Sequence, residues 1–158
     1  MKESKLTYQE YKGKVVVKVR GKGTWVEGKT FLDFCERKFK EGKEIYVDLK
    51  DCQIIDSTFL GIIASLVLKK RPLYLFHLES PHVLRSIKTL GLSRIFPRVE
   101  ESAEAKLPQE VKEWEIPLQV VKGKEGKDLI NQAHRTLVEA VPENIEKFKD
   151  VLELLENE

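Results

Sequence analysis

Val15, Val17 and Val19 alternate with Lys14, Lys18 and Arg20, and Ile45, Val47 and Leu49 repeat the same spacing. A period of two puts alternate side chains on opposite faces, so both stretches predict half-buried strands. Residues 6–11 read as a shorter strand ahead of a Lys12-Gly13 turn. Residues 73–78 read as a third strong strand behind Pro72, and residues 95–99 as a short final one. Between the strands the period becomes helical. Phe31, Phe34, Cys35 and Phe39 share one face of a helix predicted over residues 30–40, with Gly42 as its stop. Residues 57–71 are helix-like and apolar on most sides. Ser80-Pro81 supplies an N-cap followed by proline at the first helical position, and Val83, Leu84, Ile87 and Leu90 form the stripe of that helix. The order strand, strand, helix, strand, helix, strand, helix, strand predicts a compact α/β fold.

The pattern changes after about residue 104. Residues 107–122 hold two prolines and Trp114 and follow no clean period. Leu129, Ile130, Ala133, Leu137 and Val141 then recur at helical spacing, and after Pro142 so do Ile145, Phe148, Val151, Leu152 and Leu155. The expected organisation is a domain over residues 1–105, followed by a linker and two-helix extension over residues 106–158. Two amphipathic helices do not bury their stripes alone, so the pair is expected to pack on the main domain, on a second copy in a homodimer, or on a partner.

Composition narrows the function. Of 158 residues, 41% are apolar, enough for a packed core, and 34% are charged, a Lys- and Glu-rich balance common in thermophile proteins. The net charge of +2 comes from interleaved signs, so no basic stripe points to nucleic acid. The longest apolar run, near residues 59–68, is about half of the roughly twenty residues a membrane span needs. The charged first residues lack a signal-peptide pattern, so the expected location is cytoplasmic. Cys35 and Cys52 are not in a CxxC or Cys/His grouping, and Cys35 lies among phenylalanines as a buried thiol would. His77, His82 and His134 are scattered. No metal site, cofactor site or nucleophilic arrangement stands out, and an enzyme is not expected.

Two segments remain as candidates. Gly23-Thr24-Trp25-Val26-Glu27-Gly28-Lys29-Thr30 fits the phosphate-loop pattern GxxxxGK[ST], with Gly23, Gly28, Lys29 and Thr30 at its defining positions. Such a loop wraps backbone N–H groups round a polyphosphate. Trp25 and Val26 are bulky for that purpose, and Glu27 carries the wrong charge. The structural alternative is a turn, an exposed Lys29 and a capping Thr30; a nucleotide-binding protein stands as the rival of another class.

The second segment is Ile54-Ile55-Asp56-Ser57-Thr58-Phe59-Leu60-Gly61. A strand delivers Asp56 and Ser57 to the start of an apolar helix. Ser57 reads as its N-cap, either as an ordinary capping serine or as a hydroxyl whose phosphate the helix end would accept. This run, following Val47-Asp48-Leu49, resembles the signature of STAS domains, the fold of bacterial anti-sigma-factor antagonists. Val19-Arg20-Gly21 is similar to the family's N-terminal part. Leu90-Gly91-Leu92, Ile95-Phe96 and Ser102-Ala103-Glu104-Ala105 are similar to its C-terminal end.

The resemblance implies a mixed sheet with helices mainly on one face, and Ser57 as phosphoacceptor with Asp56 and Thr58 shaping its loop. Phe59 stands where the family often has glycine. The implied partners are an anti-sigma factor that is a GHKL-type serine kinase and a PP2C-type phosphatase. Phe59, Leu60 and Ile62 open the helix that a partner would touch, with Phe59 and Ile62 expected at the surface. The alternative within this family is a STAS scaffold subunit of a signalling or transporter assembly, with Ser57 never phosphorylated.

Overall fold

The computed structural model describes residues 4–99 and 107–156. Strands β1 (Lys5–Tyr11) and β2 (Lys14–Gly23) form an antiparallel hairpin. Its two-residue turn places Lys12 and Gly13 at φ of 46° and 81°, the left-handed geometry that matches the twist of the flanking strands. Strand β3 (Glu44–Asp48) runs parallel to β2, and β5 (Leu73–Phe76) parallel to β3. Strand β4 (Cys52–Ile55) pairs in parallel with the far end of β2. Strand β6 (Trp114–Ile116) closes the other edge, antiparallel to β1. The result is a mixed six-stranded sheet ordered β5-β3-β2-β1-β6, with β4 off β2.

Five helices complete the α/β fold: α1 (Trp25–Lys40), α2 (Ser57–Leu68), α3 (Pro81–Thr89), α4 (Gly123–Ala140) and α5 (Ile145–Glu156). All five contribute to one core on one face of the sheet. There Leu6, Val15, Val17, Val19, Ile45, Val47, Leu73 and Leu75 meet side chains such as Phe31, Leu60, Val83, Leu137 and Phe148. The register explains the alternation. Val17 pairs with Val47 and Val47 with Leu75 towards the helices, while Val16, Tyr46 and Tyr74 point to the other face. On that face the Tyr46 and Tyr74 rings stack 5.2 Å apart beside Phe76, Val99 and Leu107.

Helix α2 is apolar all round because it is covered on several sides, with α1 and α4 both against it. Two glycines set the close approach. A Cβ on Gly28 of α1 would meet the end of Ile62 at 2.7 Å, and a Cβ on Gly61 would meet the Ala133 carbonyl of α4 at 2.4 Å. The C-terminal segment is tied down by polar contacts as well. Asn144, fully buried in the short turn between α4 and α5, donates to the carbonyls of Leu90 and Leu137 at 3.0 Å each. Glu113, ahead of β6, takes Arg20 at 2.7 Å and Lys18 at 3.1 Å. Although burial opposes it, these donors lower the Glu113 pKa to about 2.

Several expectations change. Helix α1 starts at Trp25, five residues before the apolar stripe suggested, because Thr24 and Glu27 form a capping box. Residues 95–99 form a turn with a single bridge, Leu75 to Arg98, in place of a strand. Strand β4 has no clean alternation, β6 is too short to show a period, and β5 ends at Phe76, two residues before the predicted end. The Ser102-Ala103-Glu104-Ala105 similarity lies outside the described residues, as does the side chain of Leu155.

Candidate functional site

The N-termini of α1 and α2 meet where β2 and β4 end side by side, because Gly23 and Ile55 pair across them. Asp56 is the N-cap of α2. One carboxylate oxygen accepts from the Phe59 N–H at 2.8 Å, and the other accepts from the Trp25 N–H at 2.9 Å, so one side chain fastens the first turns of both helices. The Thr58 N–H also favours its charged form. Burial nonetheless raises the Asp56 pKa above the usual carboxylate value, against these donors and nearby His134. Beside it Glu27 is buried. Its Oε1 accepts from the backbone N–H and the hydroxyl of Thr24 at 2.8 and 2.9 Å, and burial raises its pKa.

Ser57 is therefore not the cap that the sequence suggested; it is the first residue of α2, and its hydroxyl points elsewhere. Ser57 Oγ lies 2.7 Å from Nε2 of His134, a side chain 6% exposed on α4. Burial lowers the His134 pKa, which keeps the ring neutral at neutral pH, while Asp56 acts in the opposite sense. The Ile130 carbonyl one turn back also favours a proton on the ring, although Nδ1 is not within hydrogen-bonding geometry of any partner. A proton on Nδ1, facing that carbonyl, leaves Nε2 to accept from the Ser57 hydroxyl. The opposite flank of the ring packs on Phe148, with centroids 4.5 Å apart.

Ser57 is half-buried and opens onto a groove of about 310 Å³ between the start of α2 and α3. Its polar lining comes from His82, Arg85, Ser86 and Thr89, and Ile55, Leu60 and Leu90 form its floor. His82 Nε2 lies 3.3 Å from the Ile55 carbonyl, which fixes the ring at the end of β4.

Phe59, Leu60 and Ile62 are 0%, 0% and 3% exposed. The expectation that Phe59 and Ile62 face a partner is overturned. The Phe59 ring turns inward against Phe31 at 4.8 Å and lies over Gly23, where a Cβ would meet it at 3.2 Å, while Ile62 packs at Gly28. Thr58 is buried as well. Of the expected site residues, Asp56 and Ser57 retain polar roles at the junction, and the apolar three belong to the core.

The phosphate-loop segment does not form a loop. Gly28, Lys29 and Thr30 lie inside α1, their N–H groups committed to helix geometry. Lys29 pairs with Asp33 one turn on at 3.2 Å. Thr30 is not a cap; it is buried, and its hydroxyl accepts from the Gln119 N–H at 2.8 Å. Asp48 accepts from the Lys50 N–H, and its Oδ1 lies 2.9 Å from Nδ1 of His77. Burial raises the pKa of both thiols, that of Cys52 to about 11, so neither is a ready nucleophile.

The chain matches no family model and no curated protein significantly. Among the described residues no group of three His, Cys, Asp or Glu could hold a metal ion, and no helix is long and apolar enough to cross a membrane. The residue that sequence reasoning missed is His134, 77 positions from Ser57. A signal was available: it falls four residues after Ile130 and three before Leu137, a polar position inside the buried stripe of α4.

Proposed function

We propose that this chain is a STAS-like protein-binding module of the anti-sigma-factor-antagonist type, switched by phosphorylation of Ser57. The observation that carries this reading is the placement of the Ser57 hydroxyl. It stands at the junction of β4 and α2 within the Asp-Ser element, and it opens onto a groove. A mixed sheet with its helices gathered on one face agrees with the reading. The implied kinase is of GHKL type and doubles as the anti-sigma factor; the implied reset is a PP2C-type phosphatase.

Burial of Phe59, Leu60 and Ile62 moves the docking surface to the groove rim on α3. Arg85 and Thr89 are exposed there and line the groove. A phosphate on Ser57 adds about −1.5 to −2 charges at neutral pH. A partner fitted to a neutral hydroxyl would then have to desolvate a dianion, which costs several kcal/mol.

Mass spectrometry of protein from its native cells should map phosphate to Ser57. Ser57→Asp should weaken the cognate kinase complex at least about tenfold with its fold intact, and Ser57→Ala should bind constitutively. A phosphosite elsewhere, or a Ser57→Asp variant that binds like wild type, would refute the switch and favour an unphosphorylated STAS scaffold.

A further inference from the structure

A phosphoryl group on Ser57 would need donors, and two N–H groups of its own helix end, those of Thr58 and Phe59, already serve Asp56. The same carboxylate takes the Trp25 N–H. Side-chain donors near Ser57 come from two other helices. His134 of α4 touches Ser57 Oγ at 2.7 Å, and α3 lines the adjoining groove with His82 and Arg85. The adjoining groove, of about 310 Å³, is larger than a phosphoryl group.

Resting on the reading of Ser57 as phosphoacceptor, we propose that the C-terminal hairpin completes a phosphoserine site. His134 holds the phosphoryl group from one side and Arg85 with His82 from the other, so that modification clamps α4 onto α2. The step balances. The Ser57 oxygen forms a bond to the terminal phosphorus of a nucleoside triphosphate, the bond to the bridging oxygen breaks, and the nucleoside diphosphate leaves. The hydroxyl proton passes to Nε2 of His134. The resulting imidazolium donates Nε2–H to the new phosphate and presents Nδ1–H to the Ile130 carbonyl, an atom that has no partner in the unmodified chain.

The groups facing the imidazolium are Ser57 with its phosphate, the Asp56 carboxylate, and the apolar ring of Phe148 on α5. Both charged neighbours favour the cation. Glu27 lies one layer behind Asp56, held by Thr24. The α4 helix is suited to being stabilised from outside. Its N-cap position is Lys122, with no side-chain capping bond, so its stability depends on packing. Modification would thus do two things at once: place a dianion in the groove and tighten the helix that covers α2.

The test uses the full chain with phosphoserine installed at position 57 during translation, compared with the unmodified chain. At about pH 6.5, hydrogen exchange of the α4 amides should slow by at least about tenfold. The His134 titration, followed by NMR, should move up by at least about one pH unit. His134→Gln should abolish the added protection, and Arg85→Ala should reduce it. Faster or unchanged α4 exchange on modification would overturn the clamp, as would added protection that survives His134→Gln. Because the phosphate is installed without a kinase, absence of phosphate on Ser57 in native cells would defeat the switch, while the installed phosphoserine still decides the clamp.

Discussion

Replacing Gly61 by alanine tests the contact on which the C-terminal hairpin depends. The new methyl carbon would stand 2.4 Å from the Ala133 carbonyl oxygen and 2.8 Å from both its carbonyl carbon and its Cβ. Ordinary contact begins near 3.4 Å, so α4 must retreat by about 1 Å. The obstacle is helix backbone and has no rotamer to change. Overpacking of this kind costs about 1–3 kcal/mol, and alanine returns up to about 1 kcal/mol in helix propensity.

Because the obstacle is rigid backbone, the upper part of that range applies, about 2–3 kcal/mol, and the net expectation is a loss of about 1–2 kcal/mol. For a chain of this size that lowers Tm by about 2–8 °C, with faster exchange concentrated in α4 and α5. Gly28→Ala is the matched comparison. Its methyl would also meet a close atom, at 2.7 Å, but that atom is the terminal carbon of Ile62, which can rotate away. With the same propensity gain, Gly28→Ala should be neutral within about 1 kcal/mol. Thermal unfolding and hydrogen exchange of both variants decide the point. A Gly61→Ala protein as stable as wild type, with α4 protected as before, would refute the packing of α4 on α2 described above.

The buried neutral His134 has a folded pKa below its unfolded value, so it stabilises above the unfolded pKa near 6.5, and that contribution is lost as pH falls through the folded value. Tm should therefore fall between about pH 7.5 and about pH 5.5 for wild type and less steeply for His134→Gln, and parallel curves would exclude the assignment. Asp56 and Glu27, whose folded pKa values are raised, act in the opposite sense in both proteins, so the comparison with His134→Gln isolates the histidine. The helical GxxxxGKT segment should bind ATP or GTP no more tightly than about millimolar in calorimetry, and a micromolar Kd abolished by Lys29→Ala would restore the nucleotide reading.

The sequence alone determined what depends on local period and local chemistry. Alternating valines and isoleucines announced β2 and β3, because side chains on a strand alternate faces whatever lies beyond them. Ser80-Pro81 announced α3, since capping is settled within one turn. The Thr24-to-Glu27 capping box was equally local, yet the stronger stripe from Phe31 onward drew the predicted start of α1 too far along. Tertiary structure decided the rest. Strands β4 and β6 exist because β2 and β1 offer edges; Cys-Gln-Ile-Ile does not alternate cleanly, and three residues of β6 carry no period of their own.

Whether an apolar residue near a helix start faces a partner or the core depends on what packs there: α1 covers Phe59 and Ile62, and Leu60 lies at the floor of the groove beside α3. The glycines of the phosphate-loop pattern serve contacts, Gly23 under Phe59 and Gly28 against Ile62, and no spacing rule distinguishes that use from a phosphate cradle. The sequence placed Ser57 at a helix start, but its hydroxyl partner lies 77 residues away. That pairing follows from α4 lying across α2 at Gly61, where the absence of a side chain lets two backbones approach closely enough for His134 to reach it.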